Sequence, residues 1–168
     1  MKNKKKILIA ALIVIIIAQS FLLIMPRLYL IKPSFRISEK QMEVLNKLLE
    51  EPKKKGELNS IAAIVIYKDS IVGKGYNNSV TDSCITGHAE INALNDFYRK
   101  IGPVAFRKIN KDSLTVISTL EPCLMCKGVM EGNKIKHIYF LKSHEFSSWL
   151  SNAKKIINYD FGLRKVKY

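Results

Sequence analysis

The sequence predicts an α/β fold in which helices sandwich a mixed sheet, preceded by one N-terminal transmembrane helix. Three observations predict it. An apolar run fills residues 7–25. From residue 61 onward the spacing of apolar residues switches between strand and helix periods in the order ββαβαβαβ. Two short polar motifs, HAE at 88–90 and PCLMC at 122–126, each open a helical segment. A chain of 168 residues holds one ordinary domain plus an appendage. The expected divisions are a membrane anchor over 1–26, a linker over 27–37 and a single domain over 38–168.

The N-terminal run, ILIAALIVIIIAQSFLLIM, has only Gln19 and Ser20 as polar residues. A helix needs about 20 such residues to cross the hydrocarbon core. The expectation is therefore a single-pass anchor, with the membrane as a partner through residues 7–25. A cleaved signal peptide ending at Ala18-Gln19-Ser20 is the alternative, and the apolar run continuing through Met25 argues against it. A buried core helix is a third reading, disfavoured by the run's all-round hydrophobicity. Lys2, Lys4, Lys5 and Lys6 precede the span, but Arg27, Lys32, Arg36 and Lys40 follow it and nearly balance them. The chemistry described below leans the domain to the cytoplasmic side.

After a linker broken by Pro33, Ser38 is a candidate N-cap for a helix over about 39–51, which Pro52 should end. PKKKGELNS reads as a solvated turn region. Two strands, about 61–67 and 71–76, are separated only by Lys68, Asp69 and Ser70, which makes them an antiparallel hairpin. Residues 88–100 read as a helix ending before Gly102-Pro103. LTVIST at 114–119 is a buried strand, CLMCKGVMEGN a helix, and KHIYFL at 136–141 a further strand. A last amphipathic helix over about 145–157, packed through Phe146 and Trp149, leads to a terminal strand in LRKVKY.

The formal charge is +14, and all acidic residues lie after residue 38. This excess suits a polyanionic partner or an anionic lipid surface, and equally a lysine-rich surface with no such partner. Three cysteines, two of them at CxxC spacing, make a poor disulfide framework and a better metal or redox site.

In a layered α/β sheet, the C-terminal ends of parallel strands deliver helix N-termini to one crevice, so the two motifs can meet. Cys123 and Cys126, three apart at a helix start, can share one ion, and the helix N-terminus favours their thiolates. His88 makes a third ligand. A fourth position left to water is the layout of a catalytic zinc, which acidifies that water near neutral pH. Glu90 is better placed to shuttle a proton than to ligate. Cys84, four residues before His88, reads as a small buried residue, because a fourth protein ligand would displace the water. His137 and His144 lack ligand spacing.

GKGYNNSVTDSCITGHAEINAL and STLEPCLMCKGVMEGNKIKHIYF, with HxE ahead of PCxxC, resemble the cytidine and deoxycytidylate deaminase superfamily, most of all its tRNA adenosine and guanine deaminase branch. The resemblance runs from about residue 38 to 141. It implies a three-layer αβα fold with a five-stranded mixed sheet. It implies zinc on His88, Cys123 and Cys126, Glu90 as the catalytic proton shuttle, and substrate contacts at Asn77 and Ala89. The activity it implies is hydrolytic deamination of a nucleobase, nucleoside or nucleotide, in a homodimer. Two departures bear on the substrate. Cys84-Ile85 stands where that branch carries Asp-Pro, and residue 168 closely follows the expected fifth strand, where tRNA-editing members continue into another helix. Both weaken the case for tRNA, so a small-molecule nucleobase or nucleoside is expected, with tRNA or another nucleic acid as the alternative. A non-catalytic deaminase-fold binding protein and a thiol-disulfide enzyme are the competing classes.

Overall fold

The computed structural model describes residue 6 and residues 9–20, 35–143 and 163–165. The first helical run, α1, covers residues 9–20, and its side chains are exposed. No helix among the described residues is long and apolar enough to cross a membrane. The expected transmembrane helix over 7–25 is corrected accordingly, and with it the single-pass membrane localisation. Residues 7, 8 and 21–25 of that span lie outside the described residues, as do the expected helix over 145–157, His144, Phe146 and Trp149.

The domain begins with α2, Glu39–Lys54, started by a reciprocal capping box. Ser38 Oγ accepts from Gln41 N–H, and Ser38 N–H donates to Gln41 Oε1 at 2.9 Å. Pro52 does not end this helix as expected; it lies buried inside the last turn. The stop is Gly56, whose φ of +76° lets its N–H reach Lys53 O while Glu57 N–H reaches Pro52 O at 2.9 Å. That pair of bonds is a Schellman closure, and it needs a residue free to adopt the left-handed region.

β1 (Ala62–Tyr67) and β2 (Ser70–Tyr76) form the expected antiparallel hairpin. Its two-residue turn puts Lys68 and Asp69 at φ 48° and 64°, the double positive φ that matches strand twist. α3 spans Ala89–Lys108 with a break at Gly102, followed by β3 (Leu114–Leu120), α4 (Leu124–Gly132), β4 (His137–Lys142) and β5 (Leu163–Lys165). The sheet order is β2-β1-β3-β4-β5, with β1 antiparallel to both neighbours and β4 and β5 parallel to β3. Its body is the four strands from Ala62 to Lys142. The fifth is a three-residue edge strand, shorter than the full fifth strand the resemblance implied.

β1 lies inside the sheet and is buried on both faces, which is why it reads AAIVI without alternation. Ala62, Ile64 and Ile66 pack toward α2 with Ile37, Leu45 and Ile117. Ala63 and Val65 pack toward α3 and α4 with Leu94, Phe97, Val116 and Met130. Three layers result, and the α3 layer lies very close to the sheet. A Cβ on Gly75 would strike the Ala89 carbonyl and the Ala93 nitrogen, so the GKG of β2 is what admits the first turn of α3.

Candidate metal centre

β2 and β3 run parallel with β1 between them, and each is followed by a loop that ends at a helix start. Those starts are the two predicted motifs. His88 is the N-cap of α3 and Cys123 the N-cap of α4, both in extended conformation. His88 Nδ1 lies 3.5 Å from Cys123 Sγ and 3.6 Å from Cys126 Sγ, and the two sulfurs are 3.6 Å apart. Among the described residues these three form the group able to hold a metal ion. A tetrahedral zinc at ordinary bond lengths would separate its two sulfurs by about 3.8 Å and each sulfur from the nitrogen by about 3.6 Å. The triangle therefore fits the ion.

Electrostatics at the site add a second reason for a cation. Cys126 is fully buried, and burial pushes its thiol far above the ordinary cysteine range, with the Glu90 carboxylate and Cys123 pushing the same way. The expected thiolate-favouring effect of the helix start is overridden at Cys126, because desolvation and a neighbouring anion outweigh a partial charge. A divalent cation is what would offset both.

Glu90 sits in the first turn of α3, 4% exposed, with Oε2 at 3.4 Å from Cys126 Sγ and Oε1 accepting from Ser118 Oγ at 2.9 Å. Asn77 follows β2, 5% exposed, and its Oδ1 accepts from Ala89 N–H at 3.1 Å. Its Nδ2 has no partner among the described residues. Ala89 is fully buried, its N–H committed to Asn77. Cys84 is half-buried rather than buried, outside the metal group, and its Sγ lies 3.4 Å from Thr86 Oγ1. His137 is exposed at the start of β4.

Sequence reasoning missed three supports. Asn92 Nδ2 donates to Tyr76 O at 2.8 Å and to Asn78 Oδ1 at 2.7 Å, bracketing Asn77 on both sides. Glu57 accepts from Thr81 N–H at 2.8 Å and Val80 N–H at 3.1 Å, fastening the loop between Asn77 and His88 to the end of α2. Ser118 holds Glu90. A fourth unforeseen feature is the ion pair of Lys127 with Glu121 at 3.9 Å, both side chains at most 5% exposed, which brackets the CxxC turn.

A triangle of two cysteine sulfurs and one imidazole with a buried carboxylate beside it, on this fold, defines a zinc-type deaminase. The family model for the cytidine and deoxycytidylate deaminase zinc-binding region matches residues 36–142, and the chain belongs to that family, whose members hydrolyse C–N bonds. It is 34% identical over 108 residues to the tRNA-specific adenosine deaminase of Buchnera aphidicola subsp. Schizaphis graminum, covering 64% of this chain and 68% of that one. It is 35% identical over 102 residues to the tRNA-specific adenosine deaminase of Haemophilus influenzae, covering 61% of this chain but only 56% of that relative. The solved guanine deaminase of Bacillus subtilis superposes with a TM-score of 0.54 at 21% identity, over 72% of this chain and 70% of that one.

Proposed function

We propose that this chain deaminates a free nucleobase, nucleoside or nucleotide by hydrolysis. The observation that carries the reading is the closed triangle of His88, Cys123 and Cys126 with the Glu90 carboxylate against it. His88, Cys123 and Cys126 would hold zinc. When bound, the ion supplies the Lewis acidity that makes water a nucleophile near neutral pH. The chain's own residues do the rest. Glu90 takes one proton from the attacking water and delivers it to the ring nitrogen, then takes the remaining hydroxyl proton of the adduct and delivers it to the departing amine. The water oxygen adds to the ring carbon bearing the amino group, the C–N bond breaks, ammonia leaves and a carbonyl remains. Burial of Glu90 keeps bulk water from competing for these protons.

Asn77 orients the base. Its carbonyl oxygen is occupied by Ala89 N–H, which turns the amide nitrogen toward a ring acceptor. Ala89 thus acts on the substrate through Asn77. The preference for a small substrate is supported by charge. The loops that carry the site, residues 77–88 and 119–126, contain no lysine or arginine despite the net charge of +14. A polyanion needs cations where it lies. The similarity to tRNA-specific adenosine deaminases favours a tRNA substrate as the second reading.

Ammonia release decides between them. The zinc-loaded protein is incubated with guanine, cytosine, adenosine, cytidine, deoxycytidylate and a tRNA anticodon stem-loop, beside Glu90→Ala. Release from one small compound, abolished in Glu90→Ala, is the expected result. Release from the stem-loop alone would replace it with the editing reading. Silence from all six substrates with one zinc per chain would refute both.

A further inference from the structure

The geometry points to Ser118 as the positioning residue of the proton shuttle, dividing the two oxygens of Glu90 between anchoring and proton transfer. This rests on Glu90 acting as the shuttle in the proposed deamination.

Alternation along β3 aims Leu114, Val116 and Ser118 at the α3–α4 layer, and all three are fully buried. Leu114 and Val116 fill the core. A serine next in that row contributes little packing, and a buried hydroxyl costs free energy unless it is bonded. Its partner is Glu90 Oε1 at 2.9 Å. The neighbouring hydroxyl, Thr119 Oγ1, is turned to the opposite face and accepts from Ala62 N–H at 3.0 Å, closing the sheet edge near the start of β1. Of two adjacent hydroxyls, one serves the fold and the other reaches the site.

Ser118 is also a rigid anchor. Its backbone is paired on both sides, with Ala63 in β1 and Phe140 in β4, so its Cα cannot drift. Glu90 by contrast is a long side chain with three rotatable bonds, and a proton is passed only when the accepting oxygen lies within hydrogen-bond reach. With Oε1 held by the strand, rotation about the terminal bond is blocked. Oε2, which faces the metal ligands at 3.4 Å from Cys126 Sγ, is left as the one oxygen that accepts and returns the proton. The fixed geometry spares the shuttle a rotamer search in each of its two transfers.

The test compares full-length wild type, Ser118→Ala and Ser118→Thr in three readouts: zinc per chain, kcat and KM on whichever substrate releases ammonia, and the Glu90 side-chain conformation in crystals of the zinc-free proteins. Ser118→Ala should keep its zinc and its KM, lose about 10- to 100-fold in kcat, and show the Glu90 carboxylate turned or in several conformations. Ser118→Thr keeps the hydroxyl and should recover most of the lost kcat. An unchanged kcat in Ser118→Ala, a fall that tracks lost zinc, or an unmoved Glu90 carboxylate would each overturn the assignment. If the wild type released no ammonia from any substrate, the deaminase reading would fall. The zinc-free crystals would still decide whether Ser118 sets the carboxylate.

Discussion

Stripping the metal and raising the pH should weaken this domain, and the effect should trace to Cys126. In the folded, metal-free chain, burial, with the Glu90 carboxylate and Cys123 alongside, holds the Cys126 thiol far above its ordinary value. In the unfolded chain the same thiol titrates near about 8.5. A group whose folded pKa is raised contributes stability that is fully present below the unfolded value and is lost as pH climbs above it. Between pH 7.5 and 9.5 the unfolded thiol passes from about one-tenth to about nine-tenths ionised while the folded thiol keeps its proton. The loss is about 1.4 kcal/mol. With an m-value of about 2 kcal/mol/M, the urea midpoint should fall by roughly 0.7 M.

Chelator-treated wild type and Cys126→Ala, unfolded in urea at the two pH values, give the measurement. Other groups titrate in this window. Cys84, lowered by its hydrogen bonds to Thr86, acts in the opposite sense, but it is present in both proteins and cancels in the difference. Wild type should lose more stability than Cys126→Ala by the stated amount. Equal losses would refute the argument. Saturating zinc should reverse the trend, since the ion binds the thiolate and its apparent affinity rises with pH.

Asn92→Ala should leave Tyr76 O and Asn78 Oδ1 without their shared donor, costing about 1–3 kcal/mol in stability and raising KM severalfold at unchanged zinc content; isothermal substrate binding would check it. Gly75→Ala should push the first turn of α3 off the sheet, destabilising by about 1–3 kcal/mol and lowering zinc content together with activity, read by metal analysis and thermal unfolding. For a small substrate, kcat/KM should change little between 50 and 200 mM salt. A steep fall on the logarithmic salt scale, as a phosphate-binding groove gives, would instead support a polyanion.

Much of this fold could be read locally. Ser38 with Gln41 is a helix start visible in four residues, and the hairpin follows from two apolar runs a few residues apart. At the end of α2 two stop signals lie close together. Proline in a last turn removes one donor, whereas Gly56 supplies the left-handed residue that closes the helix. The candidate metal ligands are legible because each motif is short and lies at a helix start. Their supports are not, since Ser118 meets Glu90 across 28 positions, Glu57 meets Val80 across 23, and Asn92 meets Asn78 across 14. A serine breaking the apolar row of β3 is the one such signal carried by the strand itself.

Charge around the site bears on the substrate independently of any motif. Many of the domain's cations are paired close at hand on the surface: Lys47 with Glu43, Lys53 with Glu50, Lys54 with Glu51, Lys100 with Asp96 and Lys136 with Asp112. Lys127, the basic residue nearest the CxxC turn in sequence, is buried against Glu121. Close in sequence to the candidate ligands stand Ile85, 89% exposed, and Leu124, 72% exposed. Exposed apolar residues near a buried carboxylate in sequence are compatible with the proposed flat, neutral heterocycle, which loses little solvation on entering. A net charge of +14 therefore describes the chain as a whole, and residues 77–88 and 119–126, which carry no lysine or arginine, do not share it.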